Sequence, residues 1–303
     1  MNQPAPTSRA QGLLGPMRLP FLLLTPACVI LGIGAAVVES NRFDLLQALV
    51  VLIGAVACHI SVNALNEYFD YRSGLDLKTR PTPFSGGSGT LPRQPRAAPQ
   101  ALATGLIALA VTAAVGAYVY VLRGAAILPL GLAGMITIAT YTVWLTRSPL
   151  LCLLAPGLGF GTFMVMGTAF SLSGYYTWTA FVASLVPFFL VSNLLLLNQF
   201  PDVDADRSIG RRHYPITIGR VRSSRIYVSF LALTYLSLLV GVILQVLPPL
   251  SLLGLLTVPL AFRAGRGAMQ FADQIDQLIP FLGLNVILNL ATPVLVGAGM
   301  LLS

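Results

Sequence analysis

The sequence predicts an all-α polytopic membrane protein, and two observations carry this prediction. The 303 residues are 56% hydrophobic and only 9% charged, whereas soluble domains are about 25% charged. Apolar segments of about 20 residues recur along the chain without the alternation typical of a membrane β-barrel. Because a helix satisfies its own backbone hydrogen bonds, as lipid requires, we expect these segments to be transmembrane helices.

Nine segments are long and apolar enough to be predicted as spans. They lie at about 19–38, 46–66, 100–121, 125–145, 150–171, 177–200, 224–246, 249–265 and 279–302. We expect residues 1–18 to be a disordered cytoplasmic amino terminus, and residues 19–303 to form a single domain. The first apolar segment lacks a small-residue cleavage site, so it is predicted to be a retained helix rather than a signal peptide.

Charge sets the predicted orientation. With nine spans, all of the 18 Lys and Arg residues except Arg42 and Arg123 fall on the amino-terminal side. Basic residues are retained preferentially in the cytoplasm, so we predict a cell-membrane protein with its amino terminus inside and its carboxyl terminus outside. This preference of basic residues for the cytoplasmic side accounts for most of the net charge of +8. Nucleic-acid binding is not expected, because the basic residues are divided among short loops.

Two acidic stretches lie at predicted cytoplasmic helix ends. NALNEYFDYRSGLD covers residues 63–76, and NQFPDVDADRSIGRRHYP covers residues 198–215. Each follows an apolar helix and contains the pattern Asn-x-x-x-Asp. Four predicted spans separate them, as an internal repeat of helices would. Either stretch alone could be ordinary interface charge, but two matching stretches on one side of the membrane favour a functional site.

Helical spacing places residues four apart on one face. Asn66 and Asp70 are therefore predicted to share a face, as are Asn198, Asp202 and Asp206. Such a polar face must look into protein or a wet cavity, because an unpaired polar group in lipid costs several kcal/mol, by order of magnitude.

The first polar face can be extended in both directions. Earlier turns of the same helix add Asn63 and His59, of which His59 is expected to be a hydrogen-bonded packing residue. Gly74 is predicted to end the helix, so that Asp76 returns toward the site from a loop.

The chemistry of these residues favours a metal–diphosphate site. Facing carboxylates repel unless a cation joins them, and oxygen ligands with amide neighbours suit Mg²⁺. Basic residues that could bind phosphate oxygens follow both stretches: Arg72, Lys78, Arg80, Arg207, Arg211 and Arg212. The glycine-rich FSGGSG, at 84–89, adds backbone N–H groups that could face an anion. A calcium loop in DVDADRSIG is excluded, because Arg207 and His213 occupy its sixth and twelfth positions.

The two motifs resemble those of the UbiA superfamily of intramembrane aromatic prenyltransferases, above all its menaquinone branch. The resemblance rests on NEYFDYRSGLD, on NQFPDVDADRSIGRR, on the loop FSGGSGTLP and on the number and placement of the helices. It implies nine helices around a central cavity that is open to lipid, with a polar cap on the cytoplasmic side.

The resemblance also implies an activity, which is Mg²⁺-dependent transfer of a prenyl chain from an isoprenyl diphosphate to an aromatic acceptor within the bilayer. The leading acceptor is 1,4-dihydroxy-2-naphthoate, for menaquinone biosynthesis; 4-hydroxybenzoate, homogentisate, a porphyrin or a lipid alcohol stay open. Carried over by position, the residues that would hold metal and diphosphate are Asn66, Asp70, Asp76, Asn198, Asp202 and Asp206. The expected diphosphate partners besides the two asparagines are Lys78, Arg80, Arg147, Arg211 and Arg212, although Arg147 is equally explained by the charge rule for cytoplasmic loops.

Two departures from the family pattern bear on the acceptor. Glu67 stands where the menaquinone branch usually has Asp, and Phe160, in GLGF, stands where the family tends to have an acid.

An allylic cation needs a dry pocket with aromatic faces. Tyr68, Tyr141 and Tyr214 are the candidates, and we include Tyr141 among the catalytic residues, although tyrosines at a membrane boundary are often interfacial anchors.

A transporter that couples ions through the same acids is the competing class of function. That alternative predicts acids near the bilayer midplane, whereas these acids lie at the predicted inner boundary.

Overall fold

The computed structural model describes Gly12 and residues 14–303, and no strand occurs in that part of the chain. Residues 1–11 and 13 of the predicted disordered terminus lie outside the described residues. The α-helices, numbered in chain order from the first long one, are α1 Leu24–Ser40, α2 Leu45–Arg72, α3 Thr90–Arg93, α4 Ala98–Arg123, α5 Leu128–Thr140, α6 Pro149–Gly157, α7 Met164–Ser173, α8 Trp178–Asn198, α9 Val203–Ser208, α10 Tyr214–Thr217, α11 Arg220–Ile243, α12 Val258–Gln270 and α13 Ile275–Leu301.

Shorter helical segments extend or join these helices. The 3₁₀ segments are Gly15–Met17, Leu19–Leu23, Pro95–Ala97, Ala125–Ile127, Leu145–Arg147 and Pro249–Thr257, and Leu158–Phe163 is a π-helix.

Seven helices among the described residues are long and apolar enough to cross a membrane. They are Gly15–Ser40, Leu45–Arg72, Pro95–Arg123, Pro149–Ser173, Trp178–Asn198, Arg220–Ile243 and Ile275–Leu301. They correspond to seven of the nine predicted spans, so the prediction of a helical membrane protein is confirmed.

The two other predicted spans have a different character. The segment predicted at 125–145 is a shorter apolar helix, Ala125–Thr140. The segment predicted at 249–265 begins as a 3₁₀ helix and continues as α12, which carries Arg263 and Arg266. The count of nine spans therefore stays a prediction.

Helix α8 lies at the centre of the bundle. In its most apolar stretch 67% is buried, the largest share among the seven long helices. One hydrophobic cluster packs α8 against α1, α7, α11 and α13, and a second packs it against α6, α11, α12 and α13. Because α8 ends at Asn198, this packing fixes the position of the second acidic motif.

An irregular helical segment, residues 156–163, joins α6 to α7 and is called the bend below. Pro156 lies inside α6, where proline removes a backbone hydrogen bond, and the π-helix follows it directly. Two glycines then let the bend approach the backbone of α8: a Cβ on Gly157 would lie 2.2 Å from the Phe188 carbonyl oxygen, and one on Gly161 would lie 2.5 Å from the Phe188 nitrogen. This close approach brings Phe160 to face α2.

Helix α2 carries the first acidic motif and packs along α4. The Ser61 hydroxyl donates to the Gly105 carbonyl oxygen at 2.9 Å. A Cβ on Gly105 would lie only 2.7 Å from the Leu65 side chain. Because glycine has no Cβ, the two helices can approach each other closely here. The carboxyl ends of α2 and α8 both line one cavity.

Candidate active site

A single elongated cavity of about 820 Å³ contains both acidic motifs. Pockets of about 300–1,000 Å³ are typical of small-molecule sites. Its lining follows α2 from Val51 to Asp70, which is about 28 Å at 1.5 Å per helical residue. Carboxylates and amides line one end, and apolar side chains from α4, α5, α6 and α7 line most of the remainder. The cavity can therefore accept a molecule with a charged head and a long apolar tail.

The first motif faces this cavity as its spacing predicted. His59, Asn63, Asn66 and Asp70 all line the cavity, which confirms the polar stripe on α2. The Asn66 amide also donates to Thr142 Oγ1 at 3.1 Å, and this bond ties α2 to the turn after α5.

A left-handed glycine returns the chain to the cavity after α2. Helix α2 ends at Arg72, and Gly74 has φ = +77°, a conformation that costs glycine little. The Leu75 N–H donates to the Asp70 carbonyl oxygen at 3.0 Å. Asp76 consequently lines the cavity, as predicted.

The second motif reaches the cavity by a different route from the one predicted. Asn198, Asp202 and Asp206 all line it, but they do not share one continuous helix. Helix α8 ends at Asn198, a turn follows, and α9 begins at Val203. Pro201 explains the break, because proline lacks an N–H and disfavours helical geometry in the residue before it. The single helical face predicted for these three residues was wrong, although all three line the cavity.

Arg211 joins the two motifs. Its guanidinium group donates to Asp70 from the first motif and, at 2.8 Å, to Asp206 from the second. The second Asp206 oxygen lies 2.9 Å from His213 Nε2. Burial alone would raise the pKa of Asp206, but the hydrogen bond with His213 and the charge of Arg211 hold it below its ordinary value. Arg211 and His213 therefore compensate the cost of burying the negative charge of Asp206.

For Asp76 and Asp202, nearby positive charge offsets burial only in part. Burial, together with the charges of Glu67 and Asp70, raises the pKa of Asp76 to about 8. Burial and the charge of Asp206 raise the pKa of Asp202 to about 7. The raised pKa values mean that the ionised forms of both acids are disfavoured here unless a further positive charge lies beside them.

The donor atoms in this part of the cavity are of the chemical types that bind Mg²⁺. Asp76 Oδ2, Asn198 Oδ1 and Asp202 Oδ1 are buried and have no hydrogen-bond partner among the described residues. Carboxylate and amide oxygens are the ligands that Mg²⁺ takes. Within that part of the chain, however, no group of three or more acidic, histidine or cysteine side chains is already gathered closely enough to hold an ion. Suitable donors therefore line the cavity without converging on a single point.

Four predicted diphosphate partners lie outside the cavity lining. Lys78, Arg80, Arg147 and Arg212 are exposed. The Lys78 ammonium donates to the Ser208 hydroxyl at 3.3 Å and so links the loop after α2 to α9. Of the predicted cations, Arg211 is the one that the structure places among the acids.

Arg18 is a cation that the sequence analysis missed. It lines the same cavity, its Nε lies 4.0 Å from Glu67 Oε1, and it stacks over the Phe21 ring at 4.7 Å. Its φ of +53° is unusual for a residue other than glycine. The sequence placed it in the disordered amino terminus, and only the position of Arg18 directly before the first apolar helix could have indicated a role.

Glu67 anchors the glycine-rich loop rather than facing the cavity. It accepts hydrogen bonds from the Ser88 N–H at 2.5 Å and from the Ser88 hydroxyl at 2.8 Å. Gly86 and Gly87, both with positive φ, then line the cavity. A Cβ on Gly87 would lie 3.1 Å from Asp76 Oδ1, so glycine lets this loop approach the acids.

Of the three candidate tyrosines, Tyr141 lines the cavity. Tyr68 packs beside the small cluster around Leu91, and Tyr214 packs beside the second hydrophobic cluster. Tyrosine side chains ionise only at about pH 10, so the ring that Tyr141 presents to the cavity is a neutral phenol.

His59 and Phe160 form part of the wall away from the acids. The His59 ring meets the Phe160 ring edge-on, with 4.6 Å between centroids. His59 Nδ1 lies 2.9 Å from the Thr25 hydroxyl, which confirms that this histidine is hydrogen-bonded. Phe160 makes this part of the wall apolar, at the position where the resembled family tends to have an acid.

Comparison with known proteins identifies the family and the fold. The 1,4-dihydroxy-2-naphthoate octaprenyltransferase of Bacillus subtilis (strain 168) is 25% identical over 235 residues, which are 76% of this chain and 73% of that protein. The apo structure of a UbiA homologue from Aeropyrum pernix K1 superposes with a TM-score of 0.69 at 19% identity, covering 94% of this chain and 98% of that one.

A second solved structure shares the fold. The UbiA homologue from Archaeoglobus fulgidus, bound to GPP and Mg²⁺, has a TM-score of 0.61 at 16% identity and covers 96% of this chain and 100% of that one. Residues 25–284, which are most of the chain, match the UbiA prenyltransferase family. The chain therefore belongs to the UbiA prenyltransferase family and is a prenyltransferase.

Proposed function

We propose that this prenyltransferase transfers the chain of an isoprenyl diphosphate to 1,4-dihydroxy-2-naphthoate. The observation that carries the proposal is the convergence of two distant acidic motifs at the polar end of one long apolar cavity. The name of the Bacillus subtilis relative supports the naphthoate acceptor. In the reaction, the bond from the allylic carbon to a diphosphate oxygen breaks and diphosphate leaves with that electron pair. The allylic carbon bonds to a carbon of the electron-rich ring, and that ring carbon releases the group it carried, either its hydrogen as a proton or its carboxylate as CO₂, which restores the aromatic ring.

Six residues are proposed to hold Mg²⁺ and diphosphate: Asn66, Asp70, Asp76, Asn198, Asp202 and Asp206. The unpartnered oxygens of Asp76, Asn198 and Asp202 support this assignment, and so does the Mg²⁺ bound with GPP in the Archaeoglobus fulgidus homologue. When bound, Mg²⁺ neutralises diphosphate charge and so makes diphosphate a better leaving group.

Arg211 and Arg18 are the proposed cationic partners within the cavity, because both line it beside the acids. Lys78, Arg80, Arg147 and Arg212, which are exposed and lie outside the cavity lining, stay predicted partners. A fixed cation near the leaving group stabilises the charge that develops there. This arrangement predicts a larger loss of diphosphate affinity for Arg211→Gln than for Arg80→Gln.

The apolar part of the cavity is proposed to hold the prenyl chain and to exclude water. Tyr141 lines this cavity together with Cys152 of α6, Asp70 and Arg211, and we propose that it lies near the junction of the polar and apolar parts. A neutral aromatic face can stabilise an allylic cation, and a dry pocket protects that cation from hydrolysis.

The orientation follows the charge bias of the loops. We propose a single domain in the cell membrane with nine spans, counting the segments at 125–145 and 249–265, a cytoplasmic amino terminus, an external carboxyl terminus and a polar cap on the cytoplasmic side. Labelling of a single cysteine introduced by Arg42→Cys, an exposed site, from outside intact cells tests this; labelling only after permeabilisation would contradict it.

A panel of acceptors tests the proposed reaction. Purified protein with Mg²⁺ and geranylgeranyl diphosphate would be incubated with 1,4-dihydroxy-2-naphthoate, 4-hydroxybenzoate, homogentisate, a porphyrin and a lipid alcohol in parallel. We expect mass spectrometry to find a prenylated product from the naphthoate. Product from another acceptor alone would overturn the naphthoate assignment while leaving the prenyl transfer intact.

A further inference from the structure

Arg211 occupies the point where the two acidic motifs meet. It donates to Asp70 from α2 and to Asp206 from α9, and its side chain is only 15% exposed. Its own backbone N–H donates to the Asp206 carbonyl oxygen at 3.1 Å, and His213 holds the second Asp206 oxygen. Arg211 is therefore held in this position from several directions.

This bridge distinguishes two groups among five of the six proposed ligands; the sixth, Asn66, donates to Thr142 instead. Asp70 and Asp206 have a cationic partner, whereas Asp76, Asn198 and Asp202 each retain a buried oxygen without a hydrogen-bond partner among the described residues. The absence of a gathered group of metal-binding acids in that part of the chain agrees with this division. The chain's own guanidinium thus lies between the two motifs.

The bridge opposes the binding of a metal ion alone. A metal that drew Asp70 and Asp206 to itself would leave Arg211 buried without a partner, and an uncompensated buried charge is strongly unfavourable. Diphosphate changes this balance, because guanidinium binds phosphate oxygens with the paired geometry that it uses for carboxylates. Metal and diphosphate together can therefore release the acids and supply Arg211 with a new partner.

We propose that Arg211 is a latch: it holds Asp70 and Asp206 in the metal-free protein and transfers to the diphosphate, so that the metal enters together with the diphosphate rather than before it. The inference rests on the proposed function. It adds an order of binding, which the assignment of ligands does not contain.

The test measures Mn²⁺ affinity by the electron paramagnetic resonance signal of free Mn²⁺, on the full-length protein in detergent. Without diphosphate, we expect Arg211→Gln to bind Mn²⁺ more tightly than wild type by about tenfold or more, the size of effect common for groups that contact metal ligands. With inorganic pyrophosphate, wild type should gain Mn²⁺ affinity, and Arg211→Gln should gain much less.

Arg207→Gln is the matched control. It removes the same charge from the same segment, but Arg207 is exposed and pairs at 3.8 Å with the exposed Asp204. Mn²⁺ affinity in Arg207→Gln should equal that of wild type. If Arg211→Gln binds Mn²⁺ no more tightly than Arg207→Gln does, the latch is refuted. If Arg211→Gln does not fold, Arg211→Lys decides in the same assay, because an ammonium lacks the fixed, paired donors with which the guanidinium holds the two acids. Arg211→Lys should then bind Mn²⁺ more tightly than wild type, and an unchanged affinity would refute the latch.

A further variant separates failure of the latch from failure of the site. Asp202→Asn should lose Mn²⁺ affinity if the proposed site exists. If Asp202→Asn binds Mn²⁺ as tightly as wild type does, the proposed site is overturned, and the latch with it. Binding that depends on Asp202 but does not respond to Arg211→Gln would overturn the latch alone.

Discussion

At the scale of single residues, carboxylates that are close in space differ in their electrostatic state. Asp206 is compensated by Arg211 and His213, whereas Asp202, four residues earlier, has a buried unpartnered oxygen. Asp204, between them, points to solvent with 89% of its side chain exposed. Three aspartates at alternate positions therefore have three different environments, and sequence spacing alone does not distinguish them.

This difference predicts the activity of three variants. Asp70→Asn and Asp202→Asn should each lower the rate of prenyl transfer by about 100-fold or more, the scale seen when one electrostatic catalytic group is removed. Asp204→Asn removes the same charge from the exposed side of α9 and should keep the rate of wild type. The measurement is product formation at saturating Mg²⁺. Equal losses in Asp204→Asn and Asp202→Asn would show that the effect comes from surface charge and not from the site.

Some residues of the site could be predicted from the sequence because their position depends on local geometry. The stripe from His59 to Asp70 follows helical spacing, and Gly74 ends a helix through a conformation that favours glycine. Arg211 was recognised as basic, but no spacing rule shows that its side chain reaches across to Asp70, 141 residues earlier. Arg18 escaped prediction because contacts with distant segments hold it in place.

At the scale of secondary-structure elements, the sequence predicted where the long helices lie but not where they are interrupted. The seven long helices coincide with predicted spans because continuous hydrophobicity over about 20 residues is a strong signal. The break at Pro201 was overlooked, although proline there signals it, because the four-residue spacing of the acids suggested an unbroken helix. No sequence pattern comparable to the proline at 201 signals the π-helix after Pro156, because we expect that helix to depend on packing against α8.

That packing predicts opposite effects for two neighbouring glycines. A methyl group on Gly161 would collide with the Phe188 backbone, whereas one on Gly159 would meet no atom within 4 Å. Gly161→Ala should therefore destabilise the protein by about 1–3 kcal/mol, the usual cost of overpacking. Gly159→Ala should leave stability unchanged or raise it slightly, because alanine favours the helix.

Thermal unfolding of the two variants in one detergent, followed by size-exclusion chromatography, measures the difference. A lower midpoint for Gly161→Ala alone supports the close contact between the bend and α8. Equal midpoints would mean that the bend does not rest on the Phe188 backbone.

At the scale of the whole molecule, the fold brings two chemically different regions into one cavity. Distant helix ends supply the charged region, while α4 to α7 supply most of the apolar wall. Amphiphilic substrates need this combination, because the diphosphate must meet cations and the prenyl chain must avoid water. The composition of the chain predicted the membrane setting, and the paired motifs predicted the charged region. The course of the cavity could not be predicted, since it depends on how the helices pack.

The most direct test of the central claim is a structure determined with Mg²⁺ and an unreactive thio analogue of geranylgeranyl diphosphate. We expect the diphosphate to lie between Asp70 and Asp202, with metal bridging it to both motifs, Arg211 turned toward it and the prenyl chain along α2. A diphosphate that contacts only one motif, or that lies outside the cavity, would contradict the account.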